Sequence, residues 1–265
     1  MLENAPDALA IIRAGFLGSL VAGLCTGVGA LPIFVRTRWS ENGQIVMLAL
    51  AGGIMLAATV FSLILPALDE VVARTGSEVQ AALVASAGVL LGAVAIWLVH
   101  STVPHDHFVK GHEGPAAIAL GRNWLFIVAI TLHNFPEGMS VGVSYGSGDP
   151  ATGYAVTLGI GLQNMPEGLA VAAALVGEGF GRMRAFLIAL ATGLVEPLGG
   201  LVGATAVGFS DALLPWGLAF AAGAMLFVIS GEIIPETHRN GKEHRATLSL
   251  VAGFVLMMIL DTTLG

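Results

Sequence analysis

Leu132-His133-Asn134-Phe135-Pro136-Glu137-Gly138-Met139 is echoed thirty residues later by Leu162-Gln163-Asn164-Met165-Pro166-Glu167-Gly168-Leu169. Both copies lie near the middle of apolar stretches long enough to cross a bilayer, where a carboxylate costs about 2.5–3.5 kcal/mol on insertion scales. Read as helix, His133 and Glu137 are four residues apart and share a face, as do Gln163 and Glu167, with Asn134 and Asn164 flanking. Pro136 and Pro166 carry no amide hydrogen, which frees the carbonyls of Leu132 and Leu162 and predicts a kink in each helix. The short segment around Gly146 to Pro150 makes the two helices antiparallel neighbours with their motifs at one depth.

Working outward, the 265 residues are 55% hydrophobic and only 11% charged, with a mean hydropathy of +0.85. A soluble domain carries about 25% charged residues, so the chain is not soluble. Apolar blocks between polar breaks predict an all-α polytopic membrane protein with about eight transmembrane helices, near 9–35, 43–68, 79–100, 123–145, 152–176, 183–208, 212–234 and 246–264. The 36 glycines, many at small-xxx-small spacing such as Gly88 and Gly92, suit close helix packing and permit a homodimer. Nine of the eleven basic residues fall in alternate loops, at Arg36, Arg38, Lys110, Arg122, Arg182, Arg184, Arg239, Lys242 and Arg245. The positive-inside rule makes those loops cytoplasmic and puts both termini outside a multi-pass cell-membrane protein. The acidic start, Met1 to Asp7, predicts that the first helix is retained. A net charge of -7 leaves no basic face for nucleic acid, and the single Cys25 excludes an internal disulfide or a Cys-rich zinc module.

Glu137, Glu167, Glu196 and Glu232 lie inside the spans, with Asp261 near the end of the last, and no Lys or Arg lies in the interior of the spans that carry them, Arg184 standing at the very start of the sixth. Such acids are either protonated or hold cations. Imidazole, amide oxygen and carboxylate together suit a borderline divalent ion such as Zn2+, and also Fe2+, Mn2+ or Cd2+; an all-oxygen calcium site has no use for His133. Glu196, followed by Pro197, and the thioether of Met55 are further ligand candidates. Asp69, near the outer end of the second span, Glu232, Glu236 and Asp261 are candidates for the pathway on either side. The third loop, centred on about 101–122, holds His100, His105, Asp106, His107 and His112 on the cytoplasmic side, read either as a solvated stretch or as a place to accept metal. The paired acids beside prolines also fit a cation/proton or calcium-type antiporter. An intramembrane metalloprotease needs a motif such as HExxH, which is absent, so no enzymatic role is expected.

With Val195-Glu196-Pro197, the run Glu232-Ile-Ile-Pro-Glu-Thr-His238 and the closing Leu260-Asp261-Thr-Thr263, the paired motifs resemble the ZIP (Zrt/Irt-like) metal transporters, and most of all their bacterial GufA-like branch. The resemblance covers nearly the whole chain and implies one transporter domain over 1–265. It implies a binuclear site between the fourth, fifth and sixth helices. His133, Glu137, Gln163, Glu167 and Met55 would hold the primary ion. Asn134, Asn164 and Glu196 would hold a second, with Glu137 and Glu167 bridging. It implies divalent metal moving into the cytoplasm by an elevator-like movement of the first, fourth, fifth and sixth helices against the rest. It implies, too, an inverted repeat between the first three and last three spans, which the sequence does not display on inspection. Asn164 stands where some relatives have aspartate, so a second ion gains one charge fewer. Gln163 stands where many eukaryotic members have histidine, which broadens the ion range. Gly231 stands where relatives often place histidine, leaving the site on the seventh span leaner.

Overall fold

A computed structural model describes residues 8–36, 40–102, 105–107, 111–113, 122–147, 150–238 and 241–264. The described residues form eight helical rods. The first is α1 (Ala8–Ala30) with a short 3-10 turn, and the second is α2 (Glu41–Ala58), a π-helical turn (Thr59–Ile64) and α3 (Leu65–Thr75). α4 (Glu78–Thr102), α5 (Arg122–Ser144) and α6 (Pro150–Gly177) follow; the sixth rod is α7 (Arg182–Gly193) and α8 (Glu196–Phe209). The seventh joins α9 (Leu214–Val228), a π-helical turn (Ile229–Ile233) and α10 (Ile234–Thr237), and the last is α11 (Glu243–Leu264). Six rods are long and apolar enough to cross a membrane by length and composition, and the other two are the motif-bearing α5 and α6, whose polar residues dilute their hydropathy.

Local chemistry sets the ends. The Ser40 side chain accepts from the Gly43 amide to cap α2, and Gly76, at φ 69°, closes α3 in the left-handed conformation that glycine takes at no steric cost. α5 and α6 run through Pro136 and Pro166 as single helices. The sixth rod is instead interrupted at Leu194 and Val195, where Pro197 offers no amide to continue the ladder. Between α4 and α5, His105–His107 pairs antiparallel with Gly111–Glu113 in a small hairpin that the all-helical reading did not anticipate.

α1 packs on α6 and α8, and α8 on α5; separately, α2 packs on α11 and α4 on α9. The last two pairs repeat one design. A Cβ on Gly92 would stand 1.9 Å from the Phe220 carbonyl oxygen, and one on Gly223 2.0 Å from that of Val89. In the other pair, a Cβ on Gly53 would stand 1.9 Å from the Leu250 oxygen, and one on Gly253 2.1 Å from that of Leu50. From these glycines the spacing is conserved: Ser62 and Glu232 each lie nine residues after Gly53 and Gly223, and His100 and Asp261 each lie eight after Gly92 and Gly253. Ser62 and Glu232 both sit in π-helical turns followed by a proline, Pro66 and Pro235, whose rings crowd the carbonyl four residues back. The inverted relation between the first three and last three spans is therefore present in side-chain spacing, although the residue types have diverged too far to show it directly.

Candidate metal centre

The two motifs face each other across α5 and α6. Gln163 Nε2 donates to Glu137 Oε1 at 2.7 Å, so the second position of one motif engages the acid of the other. Asn164 Nδ2 donates to Glu196 Oε1 at 2.7 Å and to the Ala22 carbonyl at 2.8 Å, which ties α6 to the start of α8 and to α1. The motif glycines allow this approach: a Cβ on Gly138 would stand 2.0 Å from the Glu196 carbonyl oxygen, and one on Gly168 2.0 Å from that of Thr26. Glu167 lies within electrostatic reach of Glu137 and Glu196 on one side and of His133 and Glu232 on the other.

Every one of these side chains is buried, and their hydrogen bonding is one-sided. The Gln163 and Asn164 amide nitrogens donate, while Asn134 Oδ1, Gln163 Oε1, Asn164 Oδ1, Glu137 Oε2 and Glu196 Oε2 have no hydrogen-bond partner. A buried acceptor left unsatisfied costs about 1–3 kcal/mol, and a carboxylate oxygen more. Five such acceptors from three helices, with no Lys or Arg among the residues that form the centre, constitute a centre that lacks positive charge. The Thr26 hydroxyl joins them. Among the described residues it is the one buried Ser or Thr hydroxyl with no partner; Ser19, Thr59, Ser62, Ser140, Ser144, Thr192 and Thr237 all have one.

His133 engages the seventh span. Its Nε2 lies 2.6 Å from Glu232 Oε2, and His100 Nδ1 lies 3.0 Å from Glu232 Oε1. The two imidazoles stack with centroids 6.0 Å apart, and the edge of Phe227 closes the cluster. Ligand atoms of His100, His133 and Glu232 all lie within 4.8 Å of one another, close enough to share one ion.

This corrects one expectation. His100 does not belong to the loop: it sits in the last turn of α4 at 5% exposure. On the seventh span, where Gly231 stands, the neighbouring Glu232 meets an imidazole from α4. The signal was legible, since the buried positions of α4 run Ala81, Ala85, Gly88, Gly92, Ile96, His100 at helical period and carry the interior face through the histidine.

The remaining candidates fall elsewhere. Met55 is buried, in an apolar cluster that also holds Met139 and Met225. Asp69 is exposed on α3, and Glu236 is half-buried in α10. Asp261, half-buried in α11, accepts a short hydrogen bond from the Ser62 hydroxyl. His105, His107 and His112 lie on the hairpin strands, with side chains outside the described residues.

Comparison with known proteins bears on the same residues. A family model described as "ZIP Zinc transporter" matches residues 101–261. The chain is 49% identical to zinc transporter GufA of Myxococcus xanthus over 95% of its own length and 99% of that protein's. It is 48% identical to zinc transporter ZIPB of Bordetella bronchiseptica, covering 94% and 81%, and 32% identical to zinc transporter ZIP11 of Homo sapiens, covering 94% and 96%. With paired motifs that build one buried, cation-deficient centre and relatives that align end to end, the chain belongs to the ZIP family.

Proposed function

We propose that the chain carries divalent transition-metal ions, Zn2+ foremost and Cd2+, Fe2+ or Mn2+ with it, across the cell membrane into the cytoplasm through this centre. The observation that supports it is the set of five buried oxygens without partners, contributed by the motif residues and Glu196. In this reading His133, Glu137, Gln163 and Glu167, with Met55, hold the primary ion. Asn134, Asn164 and Glu196 hold a second, weaker one that shares Glu137 and Glu167. The His100, His133 and Glu232 cluster receives the ion on its way to the cytoplasm, and His105, His107 and His112 accept it beyond.

Access alternates as the body of α1, α5, α6, α7 and α8 slides against α2, α3, α4, α9, α10 and α11, with both termini outside. The most extensive helix contacts lie within each group, α1 with α6 and α8 and α5 with α8 in one, α2 with α11 and α4 with α9 in the other, which favours such a division. A homodimer is compatible with the exposed apolar faces of the outer helices.

Zinc uptake by proteoliposomes containing the purified chain, run beside Glu167→Ala with cadmium, manganese and calcium as competitors, tests the reading. Uptake that disappears in the variant and is blocked by cadmium but not calcium is expected. Flux indifferent to Glu167 would overturn it and move a cation/proton or calcium-type antiporter to the front.

A further inference from the structure

The inverted repeat pairs the fourth span with the fifth as well as the first three with the last three. Under that exchange Glu232 and His100 correspond to Ser62 and Asp261, and His133 corresponds to Gln163, its equivalent in the echoed motif. One half of the correspondence is formed: His133 docks on Glu232, which His100 holds from the other side. The other half is assembled but not joined. Ser62 already orients Asp261, while Gln163 still donates to Glu137. The pieces are close, because Leu162, Phe61 and Leu260, each one residue before Gln163, Ser62 and Asp261, share one apolar cluster.

We propose that Asp261, oriented by Ser62, is a docking acid for Gln163, engaged in the conformation opposite to the one in which His133 docks on Glu232. The chemistry supplies the switch. An ion bound by the Glu137 carboxylate takes Oε1, which now accepts from Gln163 Nε2. The amide then presents its oxygen to the ion and needs a new acceptor for its nitrogen. A carboxylate beside Leu260, which packs on the same apolar cluster as Leu162, meets that need after a shift of α6 along its axis. Asp261 is thus a positioning residue: it acts on the ion through Gln163 and stabilises the loaded centre at its own end of the molecule. The inference rests on the alternating-access reading above.

The test uses the full chain in native membranes with Cys25→Ser. Gln163→Cys with Asp261→Cys, and separately His133→Cys with Glu232→Cys, are treated with a short dithiol-reactive crosslinker. Both pairs are expected to bridge, because the carrier passes through both states. Bridging of the second pair alone overturns the docking of Gln163. Whether movement itself occurs is read from Asp261→Cys alone: labelling by a membrane-impermeant thiol reagent that does not change with zinc sinks the alternating-access reading as well.

A second measurement separates positioning from mere structure. Zinc flux is followed from either face in vesicles of known orientation. Asp261→Asn is expected to raise the half-saturating concentration about tenfold on the face where Asp261 lies and leave the other unchanged, with Asp261→Glu restoring it, a differential effect on one of two states. Equal changes on both faces overturn the proposal.

Discussion

The Ser62 and Asp261 end of the molecule and the Glu232 and His100 end are built on one backbone plan and carry different chemistry. Each has a glycine-clasped helix pair, a π-helical turn with a following proline, and a polar side chain that meets the last turns of a partner helix. The Glu232 end is sealed, with Glu232 and His100 both at 5% exposure, and offers two imidazoles and a carboxylate. The Asp261 end is half-buried and offers a hydroxyl and a carboxylate. Hard oxygen ligands in a partly hydrated place attract cations without much choice, whereas imidazoles in a dry one favour zinc-like ions. One scaffold thus presents a hydroxyl and a carboxylate at one end and imidazoles with a carboxylate at the other.

Six substitutions break or sharpen that contrast, the largest at the centre the two ends share. Glu137→Ala or Glu167→Ala should abolish zinc flux in proteoliposomes, since each removes a carboxylate that the proposed site shares between its two ions; retained flux in both would dismantle the ligand assignment. At the sealed end, Glu232→Gln should lower the maximal zinc flux roughly 10–100-fold, the scale seen when a metal ligand's partner is lost, and His100→Ala somewhat less. If His100→Ala matches wild type in turnover, the three-residue cluster is a structural lock only.

A smaller and different effect is expected from Ser62→Ala, which frees Asp261: a change of a few-fold in half-saturation with maximal flux kept, the size of one hydrogen bond worth about 1 kcal/mol. A loss of maximal flux instead would give both ends the same role. Least of all, Asn164→Ala should spare transport and weaken only the second ion, seen as loss of the weaker event in a cadmium titration by calorimetry. An unchanged titration would remove the second ion.

Much of the fold was legible in the chain because membrane burial leaves a strong mark. Charge-poor blocks located all eight rods to within a few residues at most ends, with α3 running on to Thr75 as the main extension and the break at Leu194 and Val195 the main omission. Of the site, the echoed motifs named residues that do converge, since a buried carboxylate with no basic residue on its own span has few alternatives to binding a cation. His100 was misplaced because a histidine near a loop reads as solvated until the face it continues is followed through Gly88 and Gly92.

The sequence by itself determined the membrane class, the family, the motif pair and the chemistry of the ions it can hold, because all of these depend on residue type and local spacing. Tertiary structure decided the partners. That His133 meets Glu232 and His100, that Gln163 crosses to Glu137, and that Asn164 spans to Ala22 and Glu196 are long-range pairings. They are set by where glycines let backbones close to contact, a property of pairs of helices that no single helix displays.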